Sequence, residues 1–327
     1  MSEQWTLPLQ FRDFEASDYE RLAELFGAIF PDYNRTPNEW RHWDSMVDKS
    51  KFYFHRFTCL DQGSGEILGF GQCQHLIEMY HPNKFWLEVW VDPRHQAKGV
   101  GSAIYQKLAL ELADKAAVTC WAMTREDMTL PVEFARKRGF AETRRAWESR
   151  IDPAKFDSSP FTGYERKALA HGIKISTFTE ERRRDPDFKS KLHELVNKAL
   201  ADMPRPGEFT PIPYEQWATM ELDNPDLAPE GYMIARDGEK YVGLSALWRS
   251  EMEPRGLYQG NTGVLREYRG QGIAVSLKLR VLEFAKNGGY DLVKTWNDST
   301  NAAMLGINKK LGFKRQVGWI IFEKHLA

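Results

Sequence analysis

Cysteine is scarce in this chain: three residues in 327, at positions 59, 73 and 120. An odd, scattered set builds no disulfide framework, and no Cys-x-x-Cys pair suggests zinc. His75, His81 and His95 show no ligand spacing either, so no metal is expected. An excess of one charge is also missing, with 45 basic against 46 acidic side chains. Such balance gives no reason to expect nucleic acid or an anionic membrane as the main partner. No apolar run approaches the roughly 18 residues of a membrane span. The opening Met1-Ser2-Glu3-Gln4-Trp5 does not read as a signal peptide. A cytoplasmic, reducing setting is the expectation.

What is present is apolar material for two cores, at 42% hydrophobic and 13% aromatic residues. It is arranged as a repeat. Gly99-Val100-Gly101 and Gly272-Ile273-Ala274 are 173 residues apart, and so are Arg138-Gly139-Phe140 and Leu311-Gly312-Phe313. Ile67-Leu68-Gly69-Phe70 pairs with Tyr241-Val242-Gly243-Leu244 at nearly the same offset. Three markers at one spacing point to a duplicated unit. Residues 1–155 form the first domain of this reading and 172–327 the second. Residues 156–171 are linker, following the polar, proline-bearing stretch 152–160.

Each unit reads as a short strand (Leu9–Arg12; Ile173–Ile175) and then a helix (Asp18–Ile29; Phe188–Ala201) with leucines on one face. Strands follow around Gly69 and Gly243, then at Phe85–Val91 and Leu257–Val264. The Gly-turn opens a helix carrying Ile104, Leu108 and Leu112, or Val275, Leu279 and Leu282, at spacings of three or four residues. A strand (Val118–Met123; Leu292–Trp296), a helix ending at Gly-Phe and a last strand (Arg145–Ile151; Trp319–Phe322) complete it. The fold class is α/β, a mixed sheet used twice. The charged segment Glu180–Asp187, with Arg182-Arg183-Arg184, reads either as solvated structure or as a basic grip on a phosphate. Trp86, Trp90, Trp248 and Trp296 read either as core or as the lining of an acceptor pocket.

A strand that runs into a Gly-rich turn opening a helix gathers unpaired N–H groups at the positive end of a helix dipole, which makes an anion site. Glycine permits φ > 0 there and keeps a Cβ from holding the anion off the amides. Val91 to Gly101 and, more closely, Val264 to Ala274 resemble the Gln/Arg-x-x-Gly-x-Gly/Ala signature of the GNAT superfamily of N-acetyltransferases. Asn301 through Phe313 is similar to that family's late helix. The resemblance covers nearly the whole chain and implies two tandem acyl-CoA N-acyltransferase domains using acetyl-CoA (coenzyme A) as acyl donor. It assigns the pyrophosphate to Gln96, Lys98, Gly99, Val100, Gly101 and Ser102, and to Arg269, Gly270, Gln271, Gly272, Ile273 and Ala274. The preceding strand would splay from its neighbour and offer its backbone to the pantetheine at Val89 and Val91, and at Thr262 and Val264. Asn301 and Asn308 would also touch that arm.

The resemblance further implies direct attack of a neutral amine on the thioester, with strand amides polarising the carbonyl. Many members place a tyrosine five residues before the Gly-Phe phenylalanine to protonate the leaving thiolate. Here those positions are Ala135 and Asn308. The first unit also has Met128 where the second has Asn301. It does carry Glu88 on the splayed strand, where some members place a general base; an outward-facing strand carboxylate is the alternative reading. The second has Asn261 there, with Glu251 and Glu253 upstream. The expectation is an N-acetyltransferase acting on a primary amine, of a small molecule, with the C-terminal domain the active one. The alternatives are a non-catalytic acetyl-CoA sensor and a protein lysine acetyltransferase. A chain that carries its own internal pseudo-dimer is expected to work as a monomer or as a homodimer.

Overall fold

The computed structural model describes residues 8–326. The first repeat runs β1 (Leu9–Asp13), α1 (Tyr19–Ile29), α2 (Pro37–Ser45), β2 (Phe54–Asp61), β3 (Ile67–Gln74), β4 (Lys84–Val91), α3 (Val100–Asp114), β5 (Thr119–Arg125), α4 (Thr129–Lys137) and β6 (Ala141–Ile151). A connecting helix, α5 (Thr162–Ala170), follows within the stretch read as linker. The second repeat runs β7 (Ile173–Thr177), α6 (Phe178–Arg184), α7 (Phe188–Ala201), α8 (Tyr214–Trp217), β8 (Met233–Asp237), β9 (Lys240–Trp248), β10 (Gly256–Val264), α9 (Ile273–Asn287), β11 (Leu292–Asp298), α10 (Ala302–Lys310) and β12 (Lys314–His325).

Local chemistry starts several of these elements. Thr36 accepts from the Glu39 amide while the Glu39 carboxylate accepts from the Thr36 amide, and Pro37 occupies the first helical position of α2. Thr177 and Glu180 repeat the box at α6. Both helices after the Gly-turns begin on a left-handed glycine, Gly99 at φ 91° and Gly272 at φ 86°. The triple arginine of α6 includes Arg184, which pairs with Glu181 and Glu239. That pairing accounts for Arg184 without any phosphate.

The chain divides into two compact units, and the cut runs through the strands rather than between the repeats. One unit holds Met1–Thr143 and Ile320–Ala327, the other Arg144–Trp319. In the first, β1 to β4 pair antiparallel in order and β5 pairs parallel with β4. The chain's last segment then lies against β5. Leu326 N donates to Val118 O at 2.9 Å, and Trp121 Nε1 to Glu323 at 2.7 Å. Ile320 and Phe322 are buried with Phe85, Ile104, Leu108 and Phe140.

In the second unit β7, β8, β9 and β10 pair antiparallel and β11 pairs parallel with β10. Here the added strand is β6, antiparallel to β11 from Val293↔Ile151 to Asp298↔Ala146. Most of β6 and the last part of β12 therefore complete the unit built by the other repeat. Alternation of apolar residues marks a strand and its faces but does not name its partner. Helix α9 packs over this sheet with most of its length buried, as its thick apolar stripe implies.

Two features of the packing make testable statements. Gly263 on β10 lies so close to α7 that an added Cβ would stand 2.6 Å from Ala199 Cβ. Gly263→Val should destabilise the protein by about 1–3 kcal/mol through overpacking, measurable by denaturant unfolding. A change below about 0.5 kcal/mol would contradict this contact. In the first unit His55 Nδ1 lies 2.9 Å from Glu111 and Nε2 3.3 Å from Asp13. The hydrogen bond to Glu111 holds the imidazole above its usual range. A group whose folded value is raised stabilises fully below its unfolded value and loses that contribution as pH rises through the folded one. Stability should thus fall as pH rises above the ordinary imidazole value of 6.5, and more steeply in the wild type than in His55→Gln. Identical pH slopes in the two proteins would count against it.

Candidate functional site

The two Gly-turns sit at the open ends of two splayed strand pairs. In the first unit β4 pairs with β5 only over Lys84–Trp86, and Leu87–Val91 continue without it. In the second, β10 pairs with β11 over Gly256–Gln259 and then parts from it through Val264. Parallel strands that separate leave backbone donors and acceptors free along the gap, where an extended amide-bearing chain can pair. Val89 and Val91, and Thr262 and Val264, lie on these parting segments.

The turns are built alike. Gln96 Nε2 donates to Val91 O at 3.3 Å, and Arg269 Nε donates to Val264 O at 3.0 Å. At both sites the first residue of the signature ties the turn to the end of its strand. Each turn uses two left-handed positions. In the second these are Gly270 and Gly272, whereas in the first they are Ala97 at φ 58° and Gly99. An alanine in that region is strained by about 1–2 kcal/mol. Lys98, Gly101, Ser102, Gln271, Ile273 and Ala274 complete the two turns, with Val100 and Ile273 buried beneath them.

Cationic side chains gather at both turns. Arg138 reaches Ser102 Oγ and stacks on Phe134 at 3.5 Å. In the second unit Lys167 of α5 donates to Gly270 O at 2.8 Å, and Lys310 of α10 donates to Tyr164 OH at 2.8 Å. Tyr164 borders Gly272 so closely that a Cβ there would stand 3.3 Å from its carbonyl oxygen. The stretch read as linker thus builds part of this turn's wall. An N-terminal helix turn with lysines beside it suits a phosphate.

The vertices of the two splays differ. In the second, the β9–β10 register slips by one residue between Gln259 and Thr262, a β-bulge. The bulge brings both side chains into one polar cluster. Gln259 Nε2 donates to Ser245 Oγ at 2.8 Å and Thr262 Oγ1 at 3.2 Å, and the buried ammonium of Lys278 donates to Gln259 Oε1. Burial pushes the Lys278 ammonium down to about 7. Across the gap Asn308 Nδ2 donates to Asn297 Oδ1 at 2.6 Å, while Asn308 Oδ1 is buried with no partner among the described residues. Asn301 caps α10 by accepting from Met304 N at 3.1 Å, so that oxygen has a structural task. Glu253 pairs with Lys294 at 2.8 Å.

In the first unit β3 and β4 keep one register throughout, with no bulge. At the positions matching Gln259, Thr262 and Asn308 stand Trp86, Val89 and Ala135. Met128 opens α4 without a side-chain cap. Glu88 accepts from Trp86 Nε1 at 2.6 Å, and burial pushes its carboxyl up to about 7 against the pull of Arg35 and Arg56. It keeps a partly exposed edge. Trp90 is core, packed on Phe26 and Trp40, and Trp296 stacks on Tyr258 at 5.7 Å. No group of three or more His, Cys, Asp or Glu among the described residues could hold a metal, and no helix there is long and apolar enough to cross a membrane.

Lys278, Gln259, Ser245, Arg138, Tyr164 and Lys167 were not legible as site residues. Lys278 lies within the apolar stripe of α9, and a charge on the buried face of a helix was the available signal. Nothing marked the other five beyond their residue types.

Comparison with known proteins agrees with this geometry. The Acetyltransferase (GNAT) family model matches twice, over residues 19–140 and 192–313. Two curated relatives, both named mycothiol acetyltransferase, are similar over 239 residues. The one from Pseudarthrobacter chlorophenolicus is 24% identical, covering 70% of this chain and 67% of its own; the one from Thermobifida fusca is 26% identical, covering 69% and 70%. A solved tandem GNAT protein from the clavulanic acid biosynthesis pathway superposes with TM-score 0.74 at 17% identity, covering 97% of this chain and 98% of that one. With both repeats matched, each with its splayed strand and left-handed glycine, the chain belongs to the GNAT acetyltransferase family, as a tandem N-acetyltransferase.

Proposed function

We propose that this protein transfers an acetyl group from acetyl-CoA to a primary amine of a small molecule, and that the second unit performs the transfer. The observation that carries the choice of unit is the β10 bulge at the vertex of the splay. A bulge leaves a backbone N–H out of the ladder, and such a fixed donor can polarise a carbonyl placed in the gap. The first unit has the splay without the bulge.

When bound, acetyl-CoA supplies an activated acyl thioester. The amides of Gly270 to Ala274 would hold its phosphates, with Lys167 and Lys310 beside them; Thr262 and Val264 would align its amide arm. Asn308 offers its unpartnered Oδ1 to a donor lying in the gap. Gly99 and its turn, with Gln96, Lys98, Val100, Gly101 and Ser102, form a second cradle that binds coenzyme or serves as scaffold. The two relatives named for mycothiol favour a small acceptor over a protein lysine.

A second reading has one observation of its own. Glu88 carries a carboxyl that titrates near neutrality at a splayed strand, a fitting value for a base that takes a proton from an ammonium. It would place the transfer in the first unit.

Thiol release from acetyl-CoA across a panel of small amines separates the readings. Gly272→Glu puts a carboxylate where phosphate should lie and should cost roughly 100-fold or more, a loss of the size expected when a key donor set is removed. Gly99→Glu should leave most of the rate. Glu88→Gln should leave the pH profile unchanged; loss of the limb that rises through about 7 would move the site to the first unit. Thermal stabilisation by coenzyme A with no release from any amine would mark a sensor instead. Absence of any coenzyme binding would sink the proposal.

A further inference from the structure

The second unit lacks a phenol at the position where many relatives protonate the leaving thiolate, and Asn308 there has no acidic proton to give. Lys278 lies at the same vertex. Its side chain leaves α9 from within the apolar stripe and is 1% exposed. The ammonium donates to Gln259 Oε1, on the last β10 residue still paired with β11 (Gln259↔Thr295). Gln259 in turn holds Thr262, the first residue beyond the bulge. The Phe313 ring lies 4.8 Å from Nζ, and Phe313 N donates to Asn308 O at 3.0 Å, which joins the lysine to the Asn308 side of the gap. The first unit has Tyr105 at the matching position.

No carboxylate pairs with Lys278 among the described residues, where its one hydrogen bond is to a neutral amide. An ammonium so placed is costly to bury unless it meets negative charge or gives up its proton. Breaking a thioester in this gap produces both conditions: a negative sulfur develops, and it needs a proton.

We infer that Lys278 is the proton donor to the leaving sulfur in the second unit. As the acceptor nitrogen forms the new C–N bond and the C–S bond breaks, the electron pair goes to sulfur. Lys278 Nζ gives sulfur one proton and becomes neutral. The proton released by the acceptor nitrogen, carried by water, restores the ammonium. One proton leaves nitrogen and one reaches sulfur, so the balance closes without any other reactant. A lysine held near neutrality by burial can do this in both directions, since its two forms lie close in free energy.

This inference rests on the second unit being the transfer site, and the first arm of its test needs no acceptor. Free coenzyme A is bound to the whole protein, and the ultraviolet absorbance of its thiolate is followed across pH, with a coenzyme A analogue lacking sulfur as blank. Thermal stabilisation reports binding in the same samples. An ammonium beside the sulfur should lower the bound thiol's pKa by about one unit or more relative to K278M, a tenfold shift in ionisation. K278R keeps the charge but does not release a proton. It should therefore retain the thiolate signal while losing roughly 100-fold in acetyl transfer. K278R also serves where K278M fails to fold. Binding with the same thiolate titration in wild type and K278M overturns the inference and leaves the site reading standing. So does wild-type turnover in K278R. Failure of coenzyme A to stabilise the wild type overturns both.

Discussion

The pairing of β10 with β11 stops at Gln259↔Thr295, and the second site depends on that early stop. Had the ladder continued to Val264, the strand's hydrogen-bonding groups would be satisfied and no extended ligand could enter. Several features hold the strands apart. The bulge after Gln259 shifts the register of β10 against β9 just where its pairing with β11 ends. Arg269 pins the far end of β10 through Val264 O, and Leu265 N donates to Val242 O at 2.9 Å, so the strand end is committed to β9 and the turn. Asn297 and Asn308 face the gap from the other side with a polar pair that a packed apolar core would not admit. The Gly-turn follows at the wide end, where the dipole of α9 and the nearby lysines favour phosphate. One structural decision thus fixes where an extended arm with an anionic end could lie.

The first unit shows what the same backbone becomes without the polar vertex. Its strands part after Trp86, and its turn repeats the tie from Gln96 to the strand end. Between these, Trp86, Val89 and Ala135 take the places of Gln259, Thr262 and Asn308. Val89 and Ala135 offer no polar group to a developing charge, and the Trp86 indole N–H is committed to Glu88. The raised carboxyl of Glu88, bonded to the Trp86 indole with Arg35 and Arg56 nearby, is the exception. Duplication can keep a backbone frame while the chemistry at its centre changes, because the frame is fixed by a few glycines and strand ends.

Most of this frame was legible in the sequence. The 173-residue offset identified the repeat, and the left-handed glycines and the parting strands are where the turn chemistry and the family resemblance put them. Two kinds of information were not. Partner choice between strands is a long-range property, so the exchange of β6 and the end of β12 left no mark on local pattern. Side-chain roles also depend on what lies across the gap. Asn301 also caps α10, and Lys278 sits among the buried residues of α9, where its partner on β10 decides its surroundings.

The strand exchange gives the first repeat a role that does not depend on its own chemistry. Arg144–Ile151 supply the strand that flanks β11, whose free edge on the other side forms one wall of the second splay. Without that strand β11 would be an edge on both sides of its parting segment, and an unpaired strand holds its position poorly. Glu148, within it, is fully buried opposite Trp296. In return, Ile320 and Phe322 from the end of the second repeat fill the core beneath α3. Neither repeat can be cut away without removing part of the other's sheet. Whatever chemistry its own vertex supports, the first repeat is therefore required for the packing of the second unit's sheet.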